Sequence, residues 1–446
     1  MTTLHVVNGR VLHPDHSITE SDLLIDQASG TIEEIGAVDA EDADERSSSA
    51  NRTQSDDADE TLDAEGGLVI PGLINAHGHA AMTLLRGYAD DKPLEAWLQE
   101  DIWPAEGELT AEDIRVGTEL AAVEMIRSGT TGFADMYFEE PHVAGVVDES
   151  GLRALLGHGF VSVGKPEADA RADMETSVNF AAQYDKVGGD RISTAVMPHS
   201  LTTVNEALLR EAVERAREAD VPVHIHANET EDEVDPIVAE RGVRPMEYAE
   251  DVGLLADGDF LAHCVHVDDD EIERLADSDA AAIHCPASNA KLASGIAPVQ
   301  AMLDAGVSVG LGTDGAASNN DLDMFDEIRD AAMLGKLGAD DAAAVPASAA
   351  VRMATEGSAA ALGFDAGRIE VGAKADLAVV DLDAAHLTPG HDLVSHLAYA
   401  ASGSDVRHTV CDGDVLMEDR EILTLDEAAV TERAEEQAAD LIDRVA

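Results

Sequence analysis

Residues 205–229 read NEALLREAVERAREADVPVHIHANE, and the fold is decided by how this stretch changes character. Its first part spaces Leu, Ala and Val at helical intervals among Glu and Arg, the pattern of an amphipathic helix with one apolar face. At Asp220 the helical pattern stops, and VPVHIHA follows as a short apolar run of strand length. The same unit recurs. EDIRVGTELAAVEMIRS (112–128) stops at Gly129, a C-capping residue, and leads into GFADM; DDEIERLADS leads into AAAIHCP; APVQAMLDAG leads into VSVGLGTD. Helix and strand in strict alternation imply a parallel sheet covered by helices.

Working outward from 205–229, the strand candidates are LVIPGLI (68–74), TGFADM, RALLGHG, ISTAVMP, VPVHIHA, GDFLAHC, AAAIHC and VSVGLGTD. That is eight βα units in about 250 residues, the arithmetic of an α/β (β/α)8 TIM-like barrel. Residues 67–365 are assigned to it. On either side the rhythm shortens. LHVVNGRVL and SDLLID near the start, and RIEVGAKADLAVVDLD with HTVCDGDVLM near the end, read as short strands. Segments 1–66 and 366–446 are therefore expected to build one small flanking β-sandwich from both chain ends, the second adding a terminal helix. Within the first, residues 37–65 hold 11 acids and two arginines with few large apolar residues, and are expected to be a flexible acidic insertion.

The chain has 446 residues, 91 Asp+Glu against 28 Lys+Arg and a formal net charge of −63. Only six of the cations are lysines, yet 45% of residues are hydrophobic, so the charge sits on a chain able to bury a core. A surface this negative repels itself in dilute buffer. At about 1 M salt the Debye length is roughly 3 Å and that repulsion is screened. The composition is that of a salt-adapted protein, and it argues against nucleic acid or anionic membrane as partner, since both demand a basic patch. Three cysteines with no CxxC pair argue against a disulfide framework. MTTLHVVNGR carries no uninterrupted leader-like apolar run, and no stretch is long enough to span a bilayer. A soluble cytoplasmic protein is expected.

Nearly every barrel strand ends in histidine or carboxylate: His77 and His79, Asp135, His158, His199, His226 with Glu229, His263, His284 and Asp314. Active sites of such barrels form at the strand C-termini. His77 and His79, spaced by two, face one side of an extended chain and can grip one metal. His226 and Asp314 complete a set of three imidazoles and a carboxylate that suits Zn²⁺, with Fe²⁺ the alternative. His224 competes with His226 on the same face, and the rim position favours His226. No lysine stands in MPHS at the end of the fourth strand to bridge a second ion, so one metal per chain is expected.

The stretches PGLINAHGHAAMTLLRGYADDKPLEAWLQEDIWPAE, MPHS, HIHANET, LAHCVHV, HCPASNAKLASG and GTDGAASNNDLDMF resemble the amidohydrolase superfamily, and within it the branch of 5-methylthioadenosine/S-adenosylhomocysteine deaminases. The resemblance implies His77, His79, His226 and Asp314 as metal ligands and Glu229 as the proton shuttle. It implies His263 beside the attacking water, with Glu229, His263 and Asp314 as the catalytic group. Glu106 would hold the ribose hydroxyls and His199 would touch substrate. Arg171 is the candidate for the distal tail, although no motif fixes it. Gly78 stands where relatives often carry threonine. The implied reaction is hydrolytic deamination of an adenine nucleoside by a homo-oligomer. Guanine or cytosine deaminases and triazine chlorohydrolases use the same scaffold, and a non-catalytic barrel is the rival from another class.

Overall fold

The computed structural model describes residues 2–37, 60–186 and 188–445. The helix that opens the reading above spans Glu206–Ala219. The Asn205 side chain accepts the Leu208 N–H at 3.1 Å, Leu208, Leu209, Ala212, Val213 and Ala216 are buried, and Asp220 closes the last turn in the left-handed region. Its apolar stripe is thus spent on packing, and the chain passes directly into a strand whose four residues are all buried.

Eight such strands carry the site: β1 (Leu73–Asn75), β2 (Thr130–Tyr137), β3 (Arg153–Phe160), β4 (Ile192–Thr194), β5 (His224–Ala227), β6 (Phe260–His263), β7 (Ala281–His284) and β8 (Val309–Leu311). All their pairings are parallel. One sheet runs β4-β3-β2-β1 and another β5-β6-β7-β8. Beyond β4, parallel bridges join Val196 to Val223 and Ser200 to His226. Beyond β8, Asp314–Gly315 pairs with Gly78–His79, and the Ala76 N–H donates to Leu311 O at 2.8 Å. Continuous burial along these strands is what parallel sheets covered on both faces require.

The chain ends meet in a nine-stranded sheet. Thr3–Leu12 lies between Ile18–Asp26 and Leu68–Pro71 and also pairs with Glu60–Asp63, while Leu377–Val380, Val406–Cys411, Asp414–Glu418 and Glu421–Ile422 extend it from the other end of the sequence. Leu4, Val6, Leu23, Ile25, Leu62 and Leu377 share its own buried core. The terminal helix runs Glu427–Val445.

Two expectations need correction. LVIPGLI is not one strand. Leu68–Pro71 pairs into the nine-stranded sheet, and only Leu73–Asn75 pairs with β2. The switch falls at Gly72, whose N–H donates to Asp376 O at 2.8 Å and where a Cβ would stand 2.1 Å from Thr131 Oγ1. Only glycine lets the chain cross that closely. Within the acidic segment, residues 60–63 form a strand, parallel to Thr3–Leu12, rather than a loop; residues 38–59 lie outside the described residues. Among the described residues no helix is long and apolar enough to cross a membrane, and the cysteines Cys264, Cys285 and Cys411 are buried and free.

Candidate metal and proton-transfer site

The C-terminal ends of β5, β6 and β8 and the segment after β1 bring His77, His79, His226, His263 and Asp314 together. Their hydrogen bonds fix which nitrogen of each ring faces inward. A carbonyl oxygen only accepts, so His224 Nδ1–H donates to Phe260 O (2.8 Å), and its Nε2 is left to accept from His77 Nδ1–H (2.8 Å). By the same rule His79 Nδ1–H donates to Met136 O (2.6 Å) and His226 Nδ1–H to His199 O (2.7 Å). Three Nε2 lone pairs therefore converge. Candidate ligand atoms of His77, His79 and His226 lie within 4.8 Å of one another, as do those of His77, His263 and Asp314.

Asp314 is oriented by hydroxyls. Ser288 Oγ donates to its Oδ2 at 2.6 Å and Ser318 Oγ at 2.7 Å. Its Oδ1 is left 3.4 Å from His77 Nε2 and 3.2 Å from His79 Nε2. His77 Nε2 is buried without a hydrogen-bond partner. Imidazoles with outward N–H groups tied down and Nε2 turned inward, a carboxylate and an orphaned inward nitrogen are the donor set of a divalent cation. These residues fit one.

Electrostatics agree with that fit. Burial is the largest effect on Asp314 and opposes its charge, but His77 and His79 reverse it and hold the carboxyl well below its usual range. Burial likewise pulls His79 down, and the Asp314 carboxylate outweighs it, lifting the imidazole to about 9. His77 is pushed down to about 4, chiefly by burial. Without a cation the cluster thus holds a proton between His79 and Asp314, which a metal would displace. The backbone is in the left-handed region at Asn228, His263 and Asp314, with φ of 53°, 74° and 62°. Such conformations cost on the order of 1–3 kcal/mol at non-glycine residues and gather at functional sites.

Glu229 stands beside this cluster at 7% exposure, its Oε2 3.6 Å from His263 Nε2. Burial raises its pKa above the ordinary glutamate value, as a carboxyl that both takes and gives a proton requires. A match to the amidohydrolase family covers residues 68–416. The chain belongs to the amidohydrolase family.

Its relatives extend over nearly the whole chain. A 5-methylthioadenosine/S-adenosylhomocysteine deaminase of Halobacterium salinarum is 64% identical over 442 residues, covering 99% of each chain. A 5′-deoxyadenosine deaminase of Methanothermobacter thermautotrophicus is 45% identical, covering 88% of this chain and 92% of its own. Among solved structures, an adenosine deaminase from Xanthomonas campestris with bound zinc superposes with a TM-score of 0.89 at 36% identity, covering 99% of this chain and 98% of that one.

The other expected amidohydrolase site residues fall into place unevenly. The His199 ring lies 4.6 Å from the His226 ring at a tilt of 32°, bonds Thr203 Oγ1 through Nδ1 at 3.0 Å, and is lowered to about 4 by burial and the neighbouring histidines. Glu106, in the short helix Trp103–Glu106, is pushed up to about 7, mainly by burial. Arg171 is not brought into the cluster. It lies half exposed on the helix Glu167–Tyr184 and makes a two-pronged contact with Glu211 at 2.7 and 2.9 Å. A Cβ at Gly78 would meet nothing nearer than 3.5 Å, so crowding at Cβ does not demand glycine there.

Sequence reasoning missed the polar residues behind the functional groups. Besides Ser288 and Ser318, Asn289 Oδ1 accepts His263 Nδ1–H at 2.9 Å, Ser294 Oγ donates to Glu229 Oε1 at 3.2 Å, and Glu233 Oε2 accepts the Glu229 N–H at 2.9 Å. Their signal was faint but present: serines and asparagine crowded just past strand ends in HCPASNAKLASG and GTDGAASNN.

Proposed function

We propose that the chain is a metal-dependent hydrolytic deaminase that converts an adenine nucleoside of the 5′-methylthioadenosine, S-adenosylhomocysteine or 5′-deoxyadenosine type to its inosine analogue and ammonia. The observation that carries this reading is the clustering of Glu229, His263 and Asp314 around the inward Nε2 atoms of His77, His79 and His226. The names of the relatives supply the substrate class.

His77, His79, His226 and Asp314 would hold one divalent cation, Zn²⁺ by preference and Fe²⁺ as the alternative. Such a cation, when bound, makes water nucleophilic near neutral pH. The chain's own groups do the rest. Glu229 delivers a proton to ring N1 and so makes C6 electrophilic. His263 and Asp314 orient the attacking water and hold its proton. That proton passes through Asp314 or Glu229 to the amine, the C6–N bond breaks and ammonia leaves, and the remaining C6 hydroxyl proton returns to Glu229 as the carbonyl forms. Glu106 accepts from the ribose hydroxyls, and His199 lines the base. Arg171 is the candidate for the substrate's distal tail, with Glu211 beside its guanidinium.

The scaffold is a closed (β/α)8 barrel that begins after Gly72 and runs to about residue 365, flanked by a β-sandwich built from residues up to 71 and 366–446, and the protein works as a homo-oligomer in a salty cytoplasm. The test is direct. In molar KCl the zinc-loaded chain should turn adenosine, 5′-deoxyadenosine, 5′-methylthioadenosine and S-adenosylhomocysteine from the adenine to the hypoxanthine ultraviolet spectrum, and leave guanine and cytosine untouched. Preference for the free bases would overturn it. Unfolding midpoints should fall as KCl is withdrawn; full stability in dilute buffer would remove the salt-adapted reading.

A further inference from the structure

We propose that the segment Pro286–Gly295, which follows β7, acts as a single positioning element for all three proton-carrying groups; the proposal rests on the deaminase reading. Ser288 Oγ donates to Asp314 Oδ2 at 2.6 Å, Asn289 Oδ1 accepts from His263 Nδ1 at 2.9 Å, and Ser294 Oγ donates to Glu229 Oε1 at 3.2 Å. Three functional groups from three different strand ends are each held by one side chain of one ten-residue stretch.

The contacts share a logic. Each takes the atom that faces away from the reaction and leaves its partner atom facing inward. Asp314 Oδ1 stays toward His77 and His79, and His263 Nε2 stays opposite Glu229 Oε2. The chemistry of each contact also matches its partner, with hydroxyl donors on the carboxylates and an amide oxygen on the imidazole N–H. Ser288, Asn289 and Ser294 are 0%, 1% and 7% exposed, so bulk water cannot readily substitute for them.

The segment is itself anchored. Pro286–Lys291 is a helical turn, and the Ser294 N–H donates to Asn289 O at 2.9 Å. His266 Nε2–H donates to Ser294 O at 2.7 Å, while the His266 N–H donates to Asn228 O at 2.8 Å, tying the segment to the residue next to Glu229. Lys291 Nζ donates to Ala317 O at 3.0 Å and pairs with Asp90 at 2.7 Å, joining the segment to the β8 loop and to the chain after β1. Displacing it would misalign acid, base and water-orienting carboxylate together. Rigid support of this kind decides whether catalytic groups sit in productive geometry.

Ser294 gives the cleanest test, because it touches Glu229 and no metal-ligand candidate. In the metal-loaded full chain, assayed with 5′-methylthioadenosine in molar KCl, Ser294→Ala should lower kcat by on the order of 10- to 100-fold, the range for losing one hydrogen bond to a charged group. KM should stay within about twofold, and metal per chain and Tm should be unchanged. The pH limb set by Glu229 should move upward, since an ionised carboxylate loses a donor. Ser294→Thr should restore most of kcat and the limb. Ser294→Cys, similar in volume but a weak donor, should fall between them. Equal kcat and pH profiles in wild type, Ser294→Ala and Ser294→Cys would overturn the proposal, as would a threonine variant no better than alanine. An inactive wild type would remove the deaminase reading and this proposal with it; an active wild type matched by Ser294→Ala would remove the proposal alone.

Discussion

Two buried polar clusters, one at the start of β3 and one at the strand C-termini, are satisfied in opposite ways. At the start of β3, Arg153 is 5% exposed, and its guanidinium meets Asp376 at 2.8 and 3.1 Å and Asp412 at 3.2 Å. Asp376, 1% exposed, also accepts the Asp412 N–H at 2.7 Å. Charge, hydrogen bonds and geometry close on one another, and β3 is locked to the nine-stranded sheet. At the strand C-termini the side chains are as deeply buried, yet His77 Nε2 has no hydrogen-bond partner and Asp314 Oδ1 faces two imidazoles. A buried polar atom is expensive unless satisfied.

The contrast can be broken by substitution at either end. The largest effect should come from Glu229→Gln, which keeps size and removes the proton. Turnover should fall by on the order of a thousandfold or more, with metal content and Tm unchanged; near-normal turnover would remove Glu229 from its role. Next, Asp376→Ala should strip the buried Arg153 of its two-point partner and leave it only the single contact with Asp412. The cost should be about 3–5 kcal/mol of folding stability, read as a lower denaturation midpoint, while kcat at high salt and metal per chain remain those of wild type. A variant that lost activity without losing stability would show the two ends to be coupled.

A smaller effect belongs to pH. Glu106 is pushed up to about 7 by burial, so it binds a proton as pH falls through that value and loses acceptor capacity for the ribose hydroxyls. For adenine nucleosides, kcat/KM should therefore decline below about pH 7, approaching tenfold per unit at most. Glu106→Gln should lower the plateau and flatten this limb. A wild-type profile unaffected by that substitution would exclude Glu106 from nucleoside binding.

The two ends also differ in how far the sequence disclosed them. The inward set His77, His79, His226 and Asp314 was legible because period-two spacing and strand-end position are local properties, and the helix–strand alternation that places them is local too. The Arg153–Asp376 lock was not, since its partners are 223 residues apart and nothing local to either names the other. The break at Gly72 escaped for a related reason: an apolar run does not say which of two sheets it joins. The Arg171–Glu211 pair was not legible either, because a helix pattern alone does not tell which neighbour its charged face meets. Ser288, Asn289 and Ser294 are ordinary loop residues until the chain folds them against Asp314, His263 and Glu229.

The central claim is that the inward imidazoles and Asp314 hold one divalent cation. Calorimetric titration of Zn²⁺ into the metal-stripped chain, at pH 7 in molar KCl and in buffers of different ionisation enthalpy, tests it most directly. One ion should bind per chain, and about one proton should be released, because His79 is lifted to about 9 in the metal-free site. Asp314→Asn should weaken the binding and reduce the proton release. Two ions per chain, no binding, or binding unaffected by Asp314→Asn would contradict the account.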